Sequence, residues 1–261
     1  VFVILLEKAE KEDFHLDFIA SDFFKKHLSE FEDDLPSLKK IYLHCYLKQH
    51  FPFDRKGEYF KELYQRDNNF LFEFIKETLQ DKFMFTRENL KFNFHFVWHY
   101  DNAEEVIDKV IAFTIEKKVY SGGDHIASKF FPSNDFNQEV DSFFNSYIEK
   151  HSADKERMKA IFSTIRICYP SQRVKYAQKL LLHNTDLELW YYIPIARSGF
   201  SGLVSSLIPF YEEQIEFWES LLQIFSGKVE YLKHRQWVQS EIKSLRNQID
   251  SEIERDFIDD Y

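Results

Sequence analysis

Residues 197–261 read RSGFSGLVSSLIPFYEEQIEFWESLLQIFSGKVEYLKHRQWVQSEIKSLRNQIDSEIERDFIDDY, and this stretch decides the fold. After a Gly/Ser-rich loop at 197–206, apolar residues recur every three or four positions along 207–225 and again along 229–258. That spacing places them on one face of a helix in each segment. Gly227, in the short turn between the two segments, supplies the left-handed conformation that commonly ends a helix. The stretch therefore predicts an antiparallel helical hairpin with one apolar face.

The composition of the whole chain points to the same fold class. Among 261 residues there are only six Gly and six Pro, whereas sandwiches and barrels need many more turn residues. Pairs of predicted helices recur every ~35 to 40 residues, within the range of two-helix repeats. We therefore predict an all-α fold, an α-solenoid of stacked antiparallel helical hairpins similar to HEAT or tetratricopeptide arrays, with about a dozen helices.

The predicted domain organisation follows from the terminal hairpin. A hairpin with one apolar face cannot bury that face alone, so the residues before it should provide the surface on which it packs. We predict a single α-helical repeat domain over residues 1–261, with 197–261 as its capping hairpin. Because the chain begins at Val1 and not at Met, we expect it to be a fragment of a longer protein.

Charge and cysteine content exclude several classes of partner. The formal net charge is -10, and an acidic protein gains little from binding a phosphate backbone, so nucleic acid is not the expected partner. Only two cysteines occur, Cys45 and Cys168, too few for a disulfide scaffold, which favours a reduced, cytoplasmic setting. No uninterrupted apolar run reaches membrane-spanning length, so no membrane association is expected.

The segment 92–100 is ambiguous in its period. Its aromatic residues alternate strictly, which is typical of a half-buried strand: Phe92, Phe94, Phe96, Trp98 and Tyr100. A lone strand between helices has no neighbour to pair with, and unpaired backbone groups are costly to bury. The helical interpretation is therefore favoured, with a strand as the alternative.

Capping boxes mark the starts of two further helices. Asn102-Ala-Glu-Glu105 precedes one apolar-periodic run, and a Thr185-x-x-Glu188 box precedes another. In such a box the first side chain accepts a hydrogen bond from the backbone amide three residues later. Asn102 and Thr185 are therefore expected to be helix N-caps.

Two histidines form a weak candidate for a metal site. His95 and His99 would share one face of an α-helix, a spacing that occurs in zinc sites. Phe96 stands where a zinc protease of the HExxH type carries glutamate, and no third ligand is indicated. Histidines without a metal are the favoured interpretation, and a metal-dependent hydrolase using His95 and His99 is the alternative from the enzyme class.

Other catalytic patterns are missing or wrongly spaced. The set Pro52, Asp54, Glu58 and Lys61 resembles a nuclease motif, but its Glu-x-x-Lys spacing lies in a helical context and not on adjacent strand positions. The sequence has no Gly-x-x-x-x-Gly-Lys-Ser/Thr loop, no Gly-x-Gly-x-x-Gly fingerprint and no nucleophile elbow. This segment is therefore predicted to be non-catalytic and to hold no cofactor.

Aromatic residues near the terminal hairpin are the candidate binding residues. Aromatics make up 18% of the chain, including 29 Phe, more than a set of short helices can bury completely. Exposed aromatic and arginine side chains typically anchor protein partners. We predict that a protein ligand contacts the concave surface and the 197–206 loop through six surface residues, namely Trp190, Tyr191, Phe200, His234, Arg235 and Trp237.

Two parts of the chain resemble a known family. One is the terminal stretch, with the runs Ser198–Pro209, Glu212–Phe217, Leu221-Leu222, Gly227, Tyr231–Arg235 and Glu241–Ile249. It is similar to the C-terminal end of the helical-repeat regions of bacterial STAND-type NTPases, which are large, NLR-like antiviral defence proteins. The other part, Phe94–Ile107, resembles an internal repeat of such regions, which also favours the helical interpretation there.

The resemblance implies a role as well as a fold. It implies a sensor region that recognises a foreign (phage) protein, after which an upstream NTPase domain oligomerises and an effector acts. ATP and magnesium would then bind upstream of Val1, in the same protein, and homo-oligomers would form on activation. A structural self-assembly module is a third possibility beside the sensor and the hydrolase.

Overall fold

The computed structural model describes residues 34–48, 54, 56–80, 93–117, 127–132, 136–196 and 206–259. Over these residues the fold is all-α, with ten α-helices, three short 3-10 helices and no strand, which confirms the predicted fold class. The apolar spacing also predicts helices at 3–12 and 14–31, and both lie outside the described residues, as does most of the loop that precedes the terminal hairpin.

Backbone contacts divide the chain into two compact units, Val1–Phe130 and Phe131–Tyr261. The described part of the N-terminal unit contains α1 (Leu35–Lys48), α2 (Glu58–Arg66), α3 (Phe70–Gln80), a 3-10 helix (His95–His99) and α4 (Ala103–Glu116). That of the C-terminal unit contains α5 (Gln138–His151), α6 (Lys155–Cys168), a 3-10 helix (Pro170–Gln172), α7 (Arg173–His183), α8 (Leu187–Tyr192), α9 (Ile208–Ile224), a 3-10 helix (Val229–Tyr231) and α10 (Leu232–Asp259). The single domain and the solenoid arrangement stay predictions.

A buried carboxylate organises the start of α2. Asp54 accepts hydrogen bonds from the backbone amides of Glu58 and Phe60, each at 2.9 Å, and so satisfies two amides that a helix start leaves without partners. It also accepts a bond of 2.9 Å from the hydroxyl of Tyr42 on α1. Gly57, with φ of 70°, precedes the helix. Asp54 therefore ties α1 to the loop before α2 and has a structural role, in agreement with the rejection of the nuclease motif.

Aromatic rings fill the core of the N-terminal unit. Phe60 lies at its centre, with ring centroids 4.8 Å from Phe74, 5.3 Å from Phe70 and 5.5 Å from Phe94. All four rings are fully buried. Burial of one such side chain contributes about 1.5–3 kcal/mol, so this cluster supplies a large part of the stability of the unit.

The ambiguous segment is helical where the structure describes it. His95–His99 forms a 3-10 helix, and Phe94 and Tyr100 flank it without strand pairing. The backbone amide of Phe94 donates to the carbonyl of Lys129 at 2.8 Å, and the indole of Trp98 donates to the carbonyl of Phe130 at 2.7 Å. These bonds fix the segment to residues 129–130, and the helical interpretation is confirmed for 95–99.

Helix starts in the structure bear differently on the two predictions from capping boxes. Asn102 occupies the N-cap position of α4 as predicted, but its side chain makes no cap hydrogen bond. At α8 the cap is Asp186, whose carboxylate accepts from the amide of Glu188 at 3.0 Å, and not Thr185. Two caps that the sequence analysis did not name, Asn137 and Asp154, begin α5 and α6 by accepting from amides three residues later.

The core of the C-terminal unit begins with a second aromatic cluster between α5 and α7. Phe144 stacks on Phe131 with centroids 4.9 Å apart and contacts Tyr176 at 5.2 Å. The hydroxyl of Tyr176 donates to Asp141 at 2.7 Å, and Lys175 pairs with the same carboxylate at 2.6 Å. Partial burial raises the pKa of Asp141, but the bonds from Lys175 and Tyr176 outweigh it and hold the pKa below its usual range.

The terminal hairpin is present where the sequence predicted it. Helix α9 covers 208–224 against a prediction of 207–225, and the final helical segment runs from 229 to 259 against 229–258. Near the open end of the hairpin the buried carboxylate of Glu252 accepts a bond from the amide of Leu207 at 3.3 Å. This bond ties the end of α10 to the beginning of α9.

Gly227 adopts the left-handed conformation predicted for the hairpin turn, with φ of 87°. A Cβ atom at this position would meet no heavy atom within 4 Å, so a side chain would add backbone strain without a clash. Gly227→Ala is therefore expected to lower the free energy of unfolding by about 1–2 kcal/mol in urea titrations followed by circular dichroism. The exposed neighbour Lys228, at φ of -123°, gives a matched control, and Lys228→Ala should change stability by less than about 0.5 kcal/mol. Equal effects of the two substitutions would contradict the strain argument.

Candidate functional site

Two of the six predicted binding residues are buried and do not lie on the surface. Trp190 is 0% exposed and His234 is 3% exposed. The indole of Trp190 donates to the carbonyl of Asn184 at 3.3 Å, which satisfies its one polar atom inside the protein. Exposure of Trp190 and His234 was therefore predicted wrongly, because both side chains belong to the core under the candidate surface.

Trp190 and His234 meet in a buried aromatic cluster, which also contains Phe225 and Tyr231. The imidazole centroid of His234 lies 4.9 Å from Phe225, 5.7 Å from Tyr231 and 6.0 Å from Trp190. Trp190 itself meets Phe225 edge-on at 5.2 Å. The cluster joins α8, the turn after α9 and the start of α10, and so fixes the positions of the residues next to it.

Burial is the main influence on the ionisation of His234. It lowers the pKa of the imidazole, because the charged form loses its hydration, and it outweighs the opposing effects of the Thr185 backbone and the Asp186 carboxylate. Among the described residues, neither ring nitrogen has a hydrogen-bond partner of normal geometry. His234 is therefore neutral at physiological pH and is a core residue under these conditions.

Tyr191 and Trp237 form a partly exposed aromatic pair, which we call the Tyr191–Trp237 surface. Their rings meet edge-on with centroids 5.0 Å apart, and Tyr191 is 56% exposed while Trp237 is half-buried. Behind them, Trp237 rests edge-on against the buried Trp218 of α9 at 5.3 Å. The three rings form a ladder that runs from the core to the solvent, so the exposed ring is held in a defined position.

Arg235, another of the predicted residues, does not extend this surface. Arg235 and Trp237 are two positions apart on α10, which rotates their side chains by about 200° relative to each other. Trp237 faces Tyr191, so Arg235 points to another side of the helix. Phe200 lies outside the described residues. The structure thus brings Tyr191 and Trp237 together above Trp190 and His234, without Arg235.

The sequence analysis missed one residue that shapes this surface and did not separate Tyr191 from its neighbour Tyr192. Trp218 supports Trp237 from beneath, and it was read only as one of the apolar positions of α9. Tyr192 lies beside Tyr191 but turns towards α6, where its hydroxyl donates to Glu156 and the ammonium of Lys159 lies 5.0 Å from its ring centre. The sequence could have indicated that Tyr191 and Tyr192 face different directions, because neighbouring residues of a helix point about 100° apart.

A shallow groove of about 340 Å³ lies between α9 and α10. Across it Glu219 pairs with Arg246 at 3.1 Å, and both side chains are largely exposed. The groove is lined by Glu219, Leu222, Gln239, Ile242, Lys243 and Arg246. The lining of the groove therefore mixes charged and apolar side chains.

The histidine pair does not form a metal site with other described residues. Because a 3-10 helix has three residues per turn, His95 and His99 point about 120° apart, and the shared face expected for an α-helix does not exist. No group of three or more His, Cys, Asp or Glu side chains that could hold a metal ion occurs among the described residues. A metal-dependent hydrolase using this pair therefore gains no support from the geometry.

Comparisons with known proteins assign no family to the chain. No family model, curated protein or solved structure matches the chain. Within the described ranges, no helix combines the length and the apolar character needed to cross a bilayer. The Tyr191–Trp237 surface is therefore the candidate functional site on the grounds of its exposure and its rigid support.

Proposed function

We propose that this chain is a non-catalytic protein-recognition region whose contact site is the Tyr191–Trp237 surface. The observation that carries the proposal is the aromatic ladder, in which an exposed tyrosine rests on a tryptophan that is itself supported by the buried Trp218. Tyr and Trp dominate the energetic centres of protein interfaces, because they bring a large contact area and lose little conformational freedom. A ring that is held in place before binding gives its contact area at the lowest entropic cost.

We further propose that the region is the sensor of a STAND-type defence NTPase in the bacterial cytoplasm. The resemblance of residues 198–249 and 94–107 to helical-repeat regions of that family supports this proposal, and so does a terminal helical hairpin at the expected position. The ligand is then a phage protein, and ATP with magnesium binds to a domain upstream of Val1. Ligand binding is followed by homo-oligomerisation of the whole protein.

The binding proposal predicts a loss of affinity when either aromatic anchor is truncated. Phage proteins expressed one at a time are tested for binding to the 261-residue chain by biolayer interferometry. For a protein that binds, Tyr191→Ala and Trp237→Ala are each expected to weaken the affinity at least about tenfold, the size of a typical hot-spot effect. Circular dichroism of each variant verifies that the helices remain intact.

Tyr192→Ala provides the matched control, since it removes a neighbouring tyrosine that turns towards α6. It should leave the affinity within about twofold, because a side chain outside the contact contributes little. Unchanged affinity in both Tyr191→Ala and Trp237→Ala would place the contact elsewhere.

An open reading frame that continues upstream without a phosphate-binding loop would count against the NTPase, while the binding data would still decide on protein recognition.

A further inference from the structure

We propose that His234 is a proton-sensitive latch, a side chain that holds α10 against α8 while it is neutral and releases this contact when it is protonated. The latch goes beyond the proposed function because it concerns the stability of the terminal hairpin in the free protein. Its consequence is that acidification loosens the hairpin and, with it, the Tyr191–Trp237 surface.

Three elements close around the imidazole and shield it from bulk water. Trp190 comes from α8, Phe225 from the turn after α9, and Tyr231 from the 3-10 helix before α10, all within 6.0 Å between ring centroids. The side chain is only 3% exposed. A neutral imidazole packs in such a site as an aromatic ring, whereas an imidazolium ion would lose nearly all of its hydration there.

The groups around His234 compensate only weakly for that loss. From the loop before α8 the Asp186 carboxylate and the Thr185 backbone favour the charged form, and they are the influences that oppose burial. Tyr231 is the other titratable group in ring contact with the imidazole, while α8 and the turn after α9 contribute the uncharged rings of Trp190 and Phe225. In the described part of the chain no carboxylate comes within ion-pair distance of the imidazole, so protonation is better accommodated after the cluster opens.

The direction of the pH effect follows from linkage. The pKa of His234 is lowered in the folded protein, so the unfolded chain, with an ordinary histidine pKa of about 6.5, binds the proton more readily. The contribution of the neutral imidazole to stability is therefore complete above about pH 6.5. It decreases as the pH falls below that value and stops changing once the pH lies below the folded pKa.

The latch is directly connected to the candidate binding surface. Tyr191 follows Trp190 on α8, and Trp237 lies one helical turn after His234 on α10. Opening of the contact between Trp190 and His234 therefore separates the two helices that carry the exposed aromatic pair. Weaker partner binding at acidic pH is the part of this inference that rests on the proposed function.

The test measures the free protein, so it does not depend on any partner. Long-range proton–nitrogen NMR spectra of the imidazole of His234 are recorded between pH 7.5 and pH 5, and Tm is measured over the same range. We expect titration of His234 below pH 6.5, and a loss of Tm from pH 7.5 to 5.5 that exceeds the loss in His234→Phe. The excess should be at most about 3–5 °C, because only one pH unit of this range lies below the ordinary histidine pKa of about 6.5.

Two variants make the result decisive. His234→Phe keeps an aromatic ring in the cluster without a titratable group, and His183→Gln removes an exposed histidine at the end of α7. His183→Gln should follow the pH profile of the wild type. Titration of His234 at or above pH 6.5, or identical Tm profiles for the wild type and His234→Phe, would overturn the proposal. Should His234→Phe fail to fold, His234→Gln takes its place, and the NMR titration of the wild type still decides.

Discussion

Trp190→Ala is expected to lower the free energy of unfolding of the C-terminal unit by about 3–5 kcal/mol, the range for truncation of a fully buried aromatic side chain. Trp190 is completely buried and meets Phe225 and His234 edge-on at 5.2 and 6.0 Å. Alanine leaves a cavity bounded by these rings and removes the indole that binds the Asn184 carbonyl. The measurement is urea unfolding followed by far-ultraviolet circular dichroism at pH 7.5, where His234 is neutral.

The neighbouring residue provides the control for this prediction. Tyr191→Ala changes the next side chain of the same helix, which is more than half exposed, and should cost less than about 1 kcal/mol. A smaller effect at Trp190 than at Tyr191 would mean that the inner and outer faces of α8 have been assigned the wrong way round.

The apolar spacing of the sequence was sufficient to predict the two helices of the terminal hairpin. Helix α9 and the final helical segment agree with the prediction to within one residue at each end, since long amphipathic runs between Gly or Pro breaks admit few alternatives. Caps were harder to predict. Thr185 and Asp186 both carry an oxygen that can accept from the first turn of α8, and the choice depends on backbone angles that the pattern does not contain.

The candidate site was predicted less well, for two different reasons. Helix α8 has only six residues, too few for a period to show that Trp190 points inward and Tyr191 outward. For His234 a signal was present, because Tyr231, His234 and Val238 follow the three-and-four spacing of the buried face of α10. We predicted a surface position for His234 because histidine is polar, although this spacing indicates a buried position. Its burial is what gives the neutral imidazole a structural role.

Asp54→Ala is expected to destabilise the N-terminal unit by about 3–4 kcal/mol, from the loss of a helix cap and from a buried hydroxyl left without its acceptor. The carboxylate is almost fully buried and binds the amides of Glu58 and Phe60 and the hydroxyl of Tyr42. Asp34→Ala is the matched control, because Asp34 is also an aspartate at a helix start, but it is exposed and accepts from the amide of Ser37 at 3.4 Å. Its loss should cost about 0.5–1 kcal/mol in the same urea titration.

The pH dependence of this difference tests what the carboxylate contributes. Burial raises the pKa of Asp54 although four hydrogen bonds favour its charged form, so the folded protein binds a proton here more readily than the unfolded chain. The stabilisation that comes from binding this proton is fully present below the ordinary aspartate pKa. It is lost as the pH rises through the pKa of Asp54 in the folded protein. The difference between the wild type and Asp54→Ala should therefore be larger at pH 4.5 than at pH 7. A smaller difference at pH 4.5 would show that the charge itself stabilises the start of α2.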